Sequence, residues 1–131
     1  MASNRPEAYP QDWLKTAEAD LRRVGRRLQE HDTEDAAVHL QQALEKFLKG
    51  YLLARGWSLK KIHDLEALLD DAVKHDPALE RYRPLVAVVT GYYLPARYPS
   101  IGRSPTRAEV SKAAAEAVPL AKLLRLPPQK R

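Results

Sequence analysis

Cysteine is absent from the 131-residue sequence, which excludes disulfide frameworks, thiolate zinc sites and cysteine nucleophiles and agrees with a reducing cytoplasm. Aromatic residues make up 7%, with one phenylalanine, and glycine occurs five times. A chain so poor in aromatics and glycine leans toward helix. The longest uncharged stretch, PLVAVVTGYYLPA, falls short of the roughly 20 apolar residues that span a bilayer. The first residues, MASNRPEAYPQ, lack the apolar run of a secretory signal, so a cytoplasmic protein without membrane contact is expected. Strand-like alternation, internal repeats and low-complexity tracts are missing as well.

What is present is a charged, globular composition. The chain is 44% hydrophobic and 30% charged, with a formal net charge of +5, a balance that favours an anionic partner over a cationic one. Its length suits one domain that buries its own core without disulfides or metals. That domain is expected over residues 9–126, with flexible tails at 1–8 and 127–131.

Apolar residues Leu14, Ala17, Leu21, Val24 and Leu28 alternate by three and four, predicting an amphipathic helix from about Gln11 to Glu30. Asp32 or Thr33 can cap a second helix from about Glu34 to Ala54, stopped near Gly56. A third is predicted from about Lys60 to Lys74, with Ser58 as a cap. Asp76 before Pro77 marks the start of a fourth, which carries Leu79, Tyr82, Leu85, Val86, Val89 and Tyr93 and must end before Pro95. The fifth begins at SPTRAE, either with Ser104 as cap or with Thr106 and Glu109 as a capping box, and runs toward Leu126 with Pro119 as a kink or early end. The class is therefore all-α, an antiparallel four- to five-helix bundle.

On the second helix Leu40, Leu44, Phe47 and Tyr51 fall on one side and Gln42, Glu45, Lys46 and Lys49 on the other. The second group reads either as a solvated face or as a stripe able to grip an anion. His31, His39, His63 and His75 form no close helical pair and no HExxH, so no metal ligand is assigned. His63 beside Asp64 suits capping or packing better than acid/base work. In GYYLPARYPSIGRSPTR, Arg97 stands between Pro95 and Pro99 next to Tyr98. A guanidinium on a stiff backbone beside an aromatic face suits phosphate or base recognition; the alternative is a corner that only closes the bundle's end.

Taken together, HLQQALEKFLKGYLLARG, IHDLEALLDDA and YYLPARYPS resemble, in order and approximate spacing, the HEPN family, named for nucleotide-binding domains of higher eukaryotes and prokaryotes. The likeness runs from about Trp13 to Ala121. It implies an antiparallel helical bundle, commonly dimeric, of the branch encoded beside or fused to minimal nucleotidyltransferases. The fold of that branch is similar to the substrate-binding domain of antibiotic nucleotidyltransferases. The family's marked positions fall on Gln41, Gln42, Glu45, Lys46, Lys49, His63, Asp64, Arg97, Tyr98 and Pro99, some of them packing positions. Many HEPN proteins are metal-independent ribonucleases or toxins that use an arginine followed closely by a histidine near a late helix. Here no histidine follows His75, and the string RRLQEH, Arg26 to His31, lies at the end of the first helix.

The expected function is thus a homodimeric binding module without catalysis or cofactor of its own. It would hold a nucleotide or RNA, or dock a nucleotidyltransferase chain that supplies metal and chemistry. Lys46, Lys49 and Arg97 would neutralise phosphate, Tyr98 would stack, and Gln42 with Glu45 would orient the ligand, with His63 and Asp64 completing the set. The alternatives are a divergent ribonuclease of a toxin–antitoxin pair, using Arg97 or Arg26 with His31 or His63, and a purely structural dimeric scaffold. The binding reading requires the second helix and the proline-rich bend to share one solvent-reachable hollow.

Overall fold

Capping side chains set most of the helix starts in the computed structural model, which describes residues 9–92 and 104–128. Helix α1 spans Pro10–Gln29, with proline in its first turn, where a missing N–H costs nothing. Asp32 accepts the Asp35 amide at 3.2 Å and opens α2, Thr33–Leu53. Asp64 accepts the Glu66 and Ala67 amides at 3.0 and 3.3 Å and opens α3, Leu65–Val73. Asp76 caps a 3₁₀ turn, Pro77–Tyr82, which leads into α4, Arg83–Thr90. Thr106 and Glu109 form a reciprocal capping box for α5, Arg107–Leu124. All the described secondary structure is helical.

Three expectations shift. The third helix begins at Leu65, not Lys60, and Asp64 rather than Ser58 is its cap. A start at Lys60 would set Lys60 and Lys61 against the positive end of the helix dipole, whereas Asp64 supplies two acceptor bonds. The fourth helix divides because Pro84 can give no amide to the Glu80 carbonyl, so the 3₁₀ turn ends and the α-helix restarts with proline in its first turn. Pro119 neither ends nor interrupts α5. Pro119 and Ala115 are both exposed, so the carbonyl that proline leaves unbonded can be met by water.

Helix α2 is the centre of the bundle and packs against α1, α3, α4 and α5. The chain's one phenylalanine, Phe47, is fully buried on it beside Leu40, Leu44, Leu48 and Leu52, with Leu68, Leu79, Leu120 and Leu124 closing the core from the other elements. Helices α1 and α2 form an antiparallel hairpin, Arg27 opposite Asp35 at one end and Pro10 close to Gly50 at the other. The Arg107 guanidinium donates to the Leu28 carbonyl at 3.1 Å, and Arg125 meets Glu18 at 3.2 Å. These contacts lay α5 antiparallel to α1. Outside the core, Arg83 ties α3 to the 3₁₀ turn by bonding Asp70 at 2.7 Å and Glu80 at 2.6 Å. The bond to Arg83 holds the Glu80 carboxyl below its ordinary range, and those to Glu80 and Asp70 raise the guanidinium.

Helices α1 and α2 each finish in a Schellman motif. After α1 the Asp32 amide bonds the Arg27 carbonyl at 2.8 Å and the His31 amide bonds Leu28 at 3.1 Å. After α2 the Trp57 amide bonds Leu52 at 3.0 Å and the Gly56 amide bonds Leu53 at 3.2 Å. The left-handed residue is Gly56 at φ 91° in one case and His31 at φ 62° in the other. A histidine there carries a Cβ penalty that glycine avoids. His31→Gly should therefore raise stability by about 1 kcal/mol, read as a higher urea midpoint at unchanged m-value. An unchanged midpoint would mean that His31 gains a compensating contact.

Gly50 fixes the α1–α2 crossing. A Cβ at that position would fall 2.7 and 2.8 Å from Leu14 side-chain carbons and 3.2 Å from the Pro10 carbonyl oxygen, so a larger residue there forces the Leu14 side chain, or α1 with it, to shift. Gly50→Ala should cost about 1–3 kcal/mol through overpacking, although alanine is the better helix former by about 1 kcal/mol. Urea denaturation decides which term wins, and a gain in stability would show that α1 moves aside freely.

Candidate functional site

Helix α1 lies across the charged stripe of α2, so that stripe is not the solvated face its periodicity suggests. Two ionic clusters result. In the first, Asp20 is only 2% exposed and accepts from Lys46 Nζ at 2.6 Å, His39 Nδ1 at 3.1 Å and Arg23 at 3.2 Å. His39 Nε2 reaches Asp35 at 3.3 Å, and Asp35 also accepts from Arg27 at 2.7 Å. The result is a continuous line of polar contacts along the helix seam. Arg27 is raised above its ordinary value chiefly by that bond to Asp35.

The second cluster lies at Glu45. Its Oε2 accepts from Lys49 Nζ and His63 Nδ1, each at 2.9 Å, and its Oε1 accepts from the Gln41 amide nitrogen at 3.3 Å. Lys49 is 3% exposed, with its ammonium 5.4 Å from the centre of the Trp13 ring. His63 is 72% exposed. With Nδ1 facing a carboxylate, that nitrogen carries the proton and Nε2 is turned away from Glu45. Lys60 and Lys61, on the segment that carries His63, are exposed and make no ion pair among the described residues.

The residues singled out from the sequence therefore separate. Glu45, Lys49 and His63 come together, joined by Gln41. Lys46 belongs to the other cluster, bonded to Asp20. Asp64 spends its carboxylate on the α3 cap, and Gln42 is half-buried on α2. Arg97, Tyr98 and Pro99 lie outside the described residues, as does Tyr93, and with them the hollow expected between the bend and Lys46. His31 and Arg26 are exposed at the end of α1, with His31 in its left-handed cap. Among the described residues no group of three or more His, Asp or Glu side chains is placed to hold a metal, and no helix is long and apolar enough to cross a membrane.

Sequence reasoning passed over Asp20, Lys60 and Lys61. The signal for Asp20 was available: it stands three residues after Ala17 and four before Val24, inside the apolar lattice of α1, where a carboxylate must find a buried partner. Lys60 and Lys61 were hidden by their placement in a helix.

Asp20 tests how much the first cluster matters. Asp20→Ala strands Lys46 and His39 in a closed seam and should cost about 3 kcal/mol. Asp20→Leu combined with Lys46→Met should recover most of that loss, since an apolar pair of similar volume is often neutral. Thermal or urea unfolding of the two variants measures this. A loss well under 1 kcal/mol for Asp20→Ala would mean that water reaches the seam.

Comparisons with known proteins bear on the whole bundle. The model of the HEPN domain family matches residues 10–124. A crystal structure of TT1696 from Thermus thermophilus superposes with a TM-score of 0.72 at 30% sequence identity, covering 88% of this chain and 94% of that one. Comparison with curated proteins gives no match.

Proposed function

The chain belongs to the HEPN domain family, and we propose from that premise that it is a non-catalytic binding module for a phosphate-bearing ligand, a nucleotide or single-stranded RNA. In this reading it works as a homodimer beside a nucleotidyltransferase chain that supplies metal and chemistry.

The observation that carries the reading is the α2–α3 segment. Lys60 and Lys61 are exposed and unpaired among the described residues, and His63 stands beside them on a base of Glu45, Lys49 and Gln41. Lys46 and Lys49 are neutralised inside the fold by Asp20 and Glu45. They hold the base of the surface in place, while the outer cations meet the phosphate. Arg97 and Tyr98 remain proposed members of the same site, as phosphate ligand and stacking wall, with Gln42 orienting the ligand.

Anisotropy of a labelled single-stranded RNA, with ATP as competitor, tests the proposal. The Lys60→Ala/Lys61→Ala variant should bind more weakly, and its slope of log affinity against log salt should be shallower by about 1.4, the release of two phosphate contacts on a single strand. No binding of either ligand, or an unchanged slope in the variant, would overturn it.

The Glu45–His63 pair favours a second reading, a divergent ribonuclease in which His63 acts as a general base oriented by a carboxylate. RNA cleavage in the presence of chelator, abolished by His63→Ala, would replace the first reading. Absence of cleavage removes the second.

A further inference from the structure

Helices α4 and α5 leave between them a groove of about 590 Å³, within the size range of small-molecule sites. It shares no residue with the α2–α3 segment. Its two walls differ in kind. The α4 wall is apolar, lined by Pro84, Leu85 and Val88, and α4 carries no charged residue after Arg83. The α5 wall carries Glu109, Lys112 and Glu116. Glu109 is partly committed, since its Oε1 accepts the Thr106 amide at 2.8 Å in the cap of α5. Lys112 and Glu116 stand one helical turn apart, where opposite charges ordinarily meet, yet both are exposed and make no ion pair among the described residues.

Tyr92 also lines the groove. It is 7% exposed, and its buried hydroxyl has no hydrogen-bond partner among the described residues. Nothing there offsets the desolvation of that group. Burial pushes its pKa up, and Glu109 and Glu116 push it further, which places the hydroxyl on the α5 side of the groove.

We infer that this groove is a binding site for a free amino acid with a large apolar side chain. Each part of such a molecule meets a group that is otherwise unanswered. Its carboxylate pairs with Lys112 and its ammonium with Glu116, two opposite charges on one carbon matched to two on one helical turn. Its side chain lies against Pro84, Leu85 and Val88, removing apolar surface from water on both sides. The ammonium, drawn to the glutamates, arrives on the side of the Tyr92 hydroxyl and can donate to its oxygen. An amine without a carboxylate would set its charge against Lys112 with no compensation. A phosphate or a simple acid would bring its charge to two glutamates, so the groove is unsuited to the anionic ligand proposed for the α2–α3 segment, and the two assignments fail separately.

Isothermal titration calorimetry of the full chain with L-phenylalanine tests the site. Saturable binding is expected with a dissociation constant of about 1 mM or tighter. L-Alanine should bind about tenfold more weakly or worse, for want of a side chain to bury. Phenylalaninamide keeps only the ammonium and N-acetylphenylalanine only the carboxylate; they stand for the two ends of a peptide, and each should bind more weakly than the free amino acid. Lys112→Ala should weaken phenylalanine by roughly threefold to tenfold, the loss of one exposed charged contact, without weakening the amide. Glu116→Gln should weaken phenylalanine similarly without weakening the N-acetyl compound. Both residues are exposed, and unchanged helical circular dichroism verifies that the variants fold. Tyr92→Phe should lower affinity without lowering the urea midpoint of the free protein, since the hydroxyl it removes has no partner there. Nuclear magnetic resonance shifts of the Val88 methyls and the Gly91 amide should follow added phenylalanine, and RNA anisotropy on Lys112→Ala reports the α2–α3 segment independently. Shifts that follow protein concentration instead would mean that another copy of the chain fills the groove. That result, absence of saturable binding, equal affinity for either peptide-end analogue, or an affinity indifferent to any of the three substitutions would each overturn the assignment.

Discussion

The bundle depends on how near α1 comes to α2. At Gly50 the α2 backbone is bare, and the Leu14 side-chain carbons of α1 fill the space a Cβ would need. That proximity leaves the polar stripe of α2 little water, so its ionic groups must be answered within the fold. Asp20 answers Lys46 and His39 on one side of the stripe, and Glu45 on α2 itself answers Lys49 on the other. An apolar seam would hold the helices as tightly, but it would slide. Charges that pair at one register only make a one-turn slip costly, because it would take Asp20 from Lys46 and His39 and leave it only Arg23 of its own helix.

The same constraint decides what the polar residues are free to do. Lysines on a solvated helix are available to a ligand; lysines under a neighbouring helix are already occupied. Among the cations left for a partner are those on irregular backbone, where Asp64 closes off α3 and leaves Lys60, Lys61 and His63 outside the helix. A short segment excluded from helix by dipole and cap thus becomes the surface that carries the proposed function, while the regular helix beside it supplies rigidity.

Much of this was legible in the sequence, and the boundary of legibility has physical causes. Helix spans followed from periodicity, and Asp76 with Pro77 and Thr106 with Glu109 act where their chemistry says they should. The end of α2 at Gly56 was readable too, whereas the left-handed His31 after α1 was not, since only glycine advertises such a residue. The covering of the α2 stripe was not readable, because a helical wheel shows which residues share a face and not which neighbour lies over it. The pairing of Asp20 with Lys46 spans 26 positions, a distance at which spacing carries no information. The start of α3 was obscured by lysines that are good helix formers in an interior and poor ones in a first turn.

Because Asp20 is matched by Lys46 and Glu45 by Lys49, these enclosed pairs are close to neutral, and the formal surplus of +5 belongs to the outer shell. There it acts through the surrounding ion atmosphere, which fades over about 8 Å at physiological ionic strength. Capture of a polyanion is accordingly under the control of the medium, whereas the closed seam is insulated from it. Raising salt should slow encounter while leaving the helices where they are.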